Sequence, residues 1–220
     1  MEKSIALNQQ STVSLLVGEP SRPRGREAAR ERLLAGIPVT ERRLQVAGIS
    51  TAVLEGGDGP PLILLHGAIE CGGACWAPVI PRLAESHRLL VPDVPGLGES
   101  EPFARLDAAA FADWFRALLQ QTCEEKPALI AHSMGGSLAA RFAATHGRLL
   151  RQLVVYGGAG IGPYRIPLGL MMVAIRFNLR PTERNNRRFE RWAFFDVDRT
   201  RLHALQPLLG ARPAEQRRRR

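Results

Sequence analysis

Cysteine, lysine and long apolar runs are all scarce in this chain of 220 residues. Three cysteines, Cys71, Cys75 and Cys123, are too few and too odd in number to build a disulfide framework. Cys71 and Cys75 have the spacing of two metal ligands, yet no second Cys or His pair completes a zinc site, so they read as thiols in a reducing compartment. The longest apolar stretch, Ile166 to Ile175, is interrupted by Pro167 and Gly169 and falls far short of the roughly 20 residues that span a bilayer. Residues 1–20 lack the unbroken apolar core of a signal peptide. These absences give the expectation of a cytoplasmic protein with no membrane span.

Of the 30 basic residues only Lys3 and Lys126 are lysines, and the net charge of +9 is unevenly placed. Residues 165–220 carry 14 arginines against five acids, whereas residues 1–164 are balanced at 16 of each sign. An arginine bias of this kind follows as readily from a GC-rich coding preference as from a phosphate-binding surface. The closing run Arg217–Arg220 is expected to be a solvated tail that binds polyanions at most non-specifically, with no specific nucleic-acid partner. An apolar fraction of 45% with 23% charged residues is that of an ordinary globular protein.

Residues 1–22 show no periodicity and read as a flexible arm. Arg24 to Leu34 combines good helix formers with mixed charges and reads as a short surface helix. Arg43–Val46 and Ile49–Leu54 read as strands of a hairpin turning at Ala47 and Gly48. From Leu62 the pattern changes to short apolar strands (62–65, 88–91, 129–130, 153–156) alternating with helical stretches (76–85, 106–121, 137–145). That alternation predicts an α/β fold, a mostly parallel sheet with helices on both faces. After Tyr156 no further parallel strand is evident, and residues 161–210 read as a helical cap-like segment, split around 196–200 and followed by a basic tail at 211–220. The core is then 23–160. Trp192, Phe194, Phe195, Met171, Met172 and Phe177 are expected to line or pack the cap.

Three loops follow three of these strands. In the third, Ala131-His132-Ser133-Met134-Gly135 is a small-x-Ser-x-Gly turn between strand and helix. A serine on so sharp a turn needs small residues two before and two after it, here Ala131 and Gly135. Its hydroxyl then stands above the sheet, and the next backbone N–H, that of Met134, points at a developing oxyanion at a helix start. After the first strand, His66-Gly67-Ala68 forms a loop able to supply a second oxyanion donor, assigned to the Ala68 amide, with His66 as a packing and hydrogen-bonding residue. The second loop, Asp93 to Ser100, has the glycines and prolines of a specific turn, with Asp93 bonding nearby backbone amides.

In this order and spacing HGA (66–68), DVPGLGES (93–100) and AHSMGG (131–136) resemble the α/β-hydrolase fold superfamily, its serine esterase-like branch, over roughly Arg43 to Tyr156. The resemblance implies Ser133 as nucleophile, an oxyanion hole from the Ala68 and Met134 amides, and hydrolysis of an ester or related acyl bond in a small-molecule substrate through an acyl-enzyme. It calls for no metal or organic cofactor. A serine at the elbow disfavours the dehalogenase and epoxide hydrolase branches, which place a carboxylate there. The family's acid and activating histidine come from strands after the cap, for which this chain has no matching stretch. His203 with Asp196 or Asp198 keeps the family's order within the cap-like segment, and the chain is expected to be C-terminally truncated relative to the family. The alternative is a catalytically incompetent hydrolase fold that serves as a ligand-binding or interaction module.

Overall fold

Two residues set the start of the sheet. Ala47 and Gly48 both take positive φ (50° and 80°), the conformation of the tight turn whose twist matches paired antiparallel strands. They join β1 (Thr40–Val46) to β2 (Ile49–Gly56), with Val46 opposite Ile49. β3 (Pro61–Leu65), β4 (Arg88–Pro92), β5 (Ala128–His132) and β6 (Gln152–Tyr156) complete a six-stranded sheet in the order β1-β2-β4-β3-β5-β6. The first two strands run antiparallel, β2 joins β4 antiparallel, and the last four are mutually parallel. The computed structural model describes residues 30–68, 71–104, 107–158, 167–180 and 182–193.

The apolar runs do what their composition requires. All of β3 is buried, and its alternating side chains feed two cores: Ile63 and Leu65 on one face, Leu62 and Leu64 on the other. Helix α2 (Ala108–Thr122) supplies the first core with Phe111, Trp114, Phe115, Leu118 and Leu119, one face at the spacing read from the sequence. Asp107 caps its start by accepting the Ala110 amide (2.9 Å), and the Trp114 indole donates to Thr51 Oγ1 (3.0 Å). The second core takes Trp76 and Ile80 from a 3₁₀ turn (Gly72–Trp76) and the short α1 (Ile80–Ala84). The single helix expected over 76–85 is thus two pieces, the second beginning just before Pro81, whose missing N–H is harmless in a first turn.

Helix α3 (Ser133–His146) begins at the serine itself, earlier than the 137–145 expected. Beyond β6 lie α4 (Leu168–Leu179) and α5 (Glu183–Ala193). Met171 and Met172, expected to pack or line the cap, are exposed on α4. Phe194, Phe195, the 1–22 arm and the 211–220 tail lie outside the described residues, as do the side chains of Phe177 and Trp192.

Arg30, read as part of a surface helix, is only 7% exposed. Its guanidinium donates to the Cys71 carbonyl (2.8 Å) and to Glu41 (2.8 Å), and lies 3.2 Å from an Asp93 carboxylate oxygen. Mixed charges at helical spacing read as a solvated face; partners 11 to 63 positions away in sequence were invisible to that reading.

Replacing Arg30 by Ala leaves the fully buried Asp93 without its countercharge, and the protein is expected to lose about 3 kcal/mol of stability. Urea unfolding of the variant beside the parent measures it.

Candidate active site

β5 reaches His132 in ordinary extended backbone (φ −114°, ψ 139°), and the chain then turns abruptly. Ser133 adopts φ +52°; among the described residues only Ala47 is another non-glycine at positive φ. Such a conformation costs of order 1–3 kcal/mol and persists only where the surroundings impose it. Here the imposing contact is the first turn of α3 pressed on the end of β3. A Cβ on Gly135 would stand 2.3 Å from the His66 carbonyl oxygen, so no larger residue fits. Ala131, two residues before the serine, is fully buried.

The same packing brings the β3 loop to the serine. A Cβ built on Gly67 would lie 3.0 Å from Ser133 Cβ and 3.3 Å from His132 Nδ1. Gly67 and Ser133 are therefore neighbours. Ala68 is exposed, whereas Met134 is half-buried against the first core. The Met134 amide belongs to the first turn of α3, whose N–H groups have no intrahelical partner and form the positive end of the helix. Among the described residues no side chain bonds the Ser133 hydroxyl.

His66 has its two ring nitrogens committed. The Val94 amide donates to Nε2 (2.9 Å), so Nδ1 carries the proton and donates to the Gly67 carbonyl (2.7 Å). Full burial pushes its pKa down, and the ring is neutral. It links the loops after β3 and β4 and has no free nitrogen for a serine. Asp93 is equally occupied. Its carboxylate accepts the Gly73 and Glu99 amides as well as Arg30, and a Cβ on Gly72 or Gly98 would stand 2.2 Å from one of its oxygens.

The other histidines divide clearly. His146 lies at the far end of α3, bonded to Thr145 and stacked on Phe142, and His87 pairs with Ser86 before β4. His132 makes no hydrogen bond among the described residues and stacks on Tyr156 with ring centroids 4.7 Å apart. Partial burial lowers its pKa. Trp76 meets Tyr156 edge-on at 6.0 Å, so an aromatic wall flanks the elbow. The sequence reading passed over Tyr156, although its place at the end of a strand beside β5 was the available signal. His203, Asp196 and Asp198 lie outside the described residues. Cys71 and Cys75 share a hydrogen bond that lowers the Cys71 thiol pKa and, with burial, raises that of Cys75 well above the ordinary thiol range.

A family model described as alpha/beta hydrolase fold matches residues 60–197. Among curated proteins, 2-hydroxymuconate semialdehyde hydrolase of Pseudomonas sp. (strain CF600) is 34% identical over 128 residues, 56% of this chain and 45% of that protein. Soluble epoxide hydrolase of Corynebacterium sp. (strain C12) is 33% identical over 146 residues, 64% of this chain and 51% of the relative. The chain therefore spans about half the length of these relatives. Of solved structures, carboxylesterase CesB from Bacillus subtilis superposes with a TM-score of 0.72 at 24% identity, over 88% of this chain and 69% of that one, a likeness of fold.

Two outcomes follow from the site's packing. Gly135→Ala forces α3 off β3, so a melting temperature at least about 5 °C below the parent is expected, roughly 1–3 kcal/mol of overpacking. Because His66 binds a proton less readily folded than unfolded, acid favours the unfolded chain, and stability held at neutral pH is lost as the pH falls below about 6.5. His132 adds to that slope in the same direction, so His66→Gln is expected to flatten it without abolishing it, as read from melting temperatures against pH.

Proposed function

The chain belongs to the alpha/beta hydrolase fold family, and from that premise we propose that it is a serine hydrolase acting on an ester or related acyl bond of a small-molecule substrate. The observation that carries the reading is Ser133 at φ +52° on a strand-to-helix turn, held there by Gly135 packed on the His66 carbonyl. A hydroxyl on that turn stands clear of the sheet at the positive end of α3.

In the proposed reaction Ser133 Oγ attacks the carbonyl carbon and gives its proton to a base, which passes it to the departing alcohol. The resulting acyl-serine is hydrolysed by water. The negative oxygen that forms in each half is held by the Met134 and Ala68 amides, the first of them at the start of α3, where packing on the His66 carbonyl holds the helix. His66 is excluded as the base by its two hydrogen bonds. A serine at the elbow also separates this reading from epoxide opening, for which the branch resemblance places a carboxylate at that position.

The test is hydrolysis of p-nitrophenyl butyrate by monodisperse protein beside its Ser133→Ala variant. The parent is expected to exceed background, and the variant to fall to it, a loss of at least about 10³-fold. Equal background rates from two folded proteins would overturn hydrolysis and leave a ligand-binding module on a hydrolase fold, a reading that fits a Ser133 hydroxyl unbonded among the described residues.

A further inference from the structure

Helix α4 is apolar on nearly all sides, yet five of its large apolar side chains are exposed. Leu170, Val173 and Ala174 are half-buried, and α5 is the main partner of α4 among the described elements. The exposed five are Leu168, Met171, Met172, Ile175 and Leu179, spaced i, i+3, i+4, i+7 and i+11. At about 100° per residue these five fall within an arc of about 100°, a continuous stripe along the whole helix. All are exposed, from 42% at Met171 to 68% at Leu168. Scattered exposed leucines need no account, but an aligned apolar row facing water marks an interaction surface.

The charge beside the stripe identifies what covers it. Arg176 borders it on α4 and Arg180 follows at the helix end, and both are exposed. α5 repeats the same spacing with Arg184, Arg187, Arg188 and Arg191, three exposed and Arg188 half-buried. Between residues 168 and 193 these six arginines face only two acids, Glu183 and Glu190. An apolar row in a segment whose charge is mainly of one sign differs from the mixed rim of a protein interface and matches a layer of acyl chains beneath phosphates. Guanidinium forks bind phosphate oxygens two at a time. With 12 residues, α4 is too short to cross a bilayer, so it would lie along the surface.

We propose that the α4–α5 pair is a docking element for an anionic phospholipid bilayer, the α4 stripe entering the acyl boundary and the arginines of both helices meeting headgroup phosphates. This stands independently of any reaction at Ser133.

The test is co-sedimentation of the full chain with phosphatidylglycerol/phosphatidylcholine vesicles, beside vesicles of phosphatidylcholine alone. Binding to the anionic vesicles at least about tenfold above the zwitterionic ones is expected, weakening as salt is raised. Met171→Asp with Ile175→Asp, and separately Arg184→Glu with Arg188→Glu, are each expected to cut it at least about tenfold without shifting the melting temperature, since these side chains are exposed or half-buried. Binding that the Met171/Ile175 pair leaves unchanged overturns the proposal and, if replacement of Arg217–Arg220 by glycine removes it, assigns it to the tail. A parent dimer in light scattering that the same pair dissociates also overturns it, giving the stripe to a second copy. Parent protein that stays in the supernatant with anionic vesicles overturns it outright.

Discussion

The buried carboxylate of Asp93 is the point from which the functional end of the sheet is organised. Its two oxygens hold the amides of Gly73 and Glu99 and the guanidinium of Arg30, so three separate stretches of chain converge on one side chain. Its own amide donates to the Ala52 carbonyl, and its carbonyl accepts the Ser100 hydroxyl, which in turn accepts the Ala52 amide. A charge removed from water is tolerable only when it is met so completely. The same requirement fixes the loops after β3 and β4 relative to β2. His66 adds the second tie between those loops through Val94 and Gly67.

On that frame the elbow is a consequence of close approach. α3 can start directly at the strand end only because Gly135 lets its first turn touch the backbone of residue 66, and the touching leaves Ser133 no ordinary conformation. Gly67 of the β3 loop and the first turn of α3 are thereby held against each other at Ser133. The aromatic wall of Tyr156 and Trp76 stands beside this arrangement and occupies the face of His132.

Much of this was legible in the chain because the deciding interactions are local. The Leu62–Leu65 run reads as a strand covered on both faces, Ala47-Gly48 as the turn of a hairpin, and the spacing of Phe111, Trp114, Phe115 and Leu118 names the buried face of α2. The small residues flanking Ser133 announced a close backbone approach, though not which carbonyl would be approached. What escaped the reading depends on distant partners. Nothing near Arg30 in sequence signals that its guanidinium ends against Asp93. Nothing in α4 distinguishes a covered methionine from an exposed one, because periodicity reports a face and not what lies opposite it. The helix expected at 76–85 divides for a local reason, since proline at the start of a helix reads the same as proline within one.

The left-handed backbone of Ser133 sets two selection pressures against each other at one position. Glycine would adopt that φ at no steric cost, and the same exchange would delete the hydroxyl. A library of this protein screened for heat resistance alone would thus be drawn toward variants that have relaxed the turn, and away from the hydroxyl that the proposed hydrolysis requires. Thermostability gained elsewhere, in the hairpin or along α2, carries no such conflict.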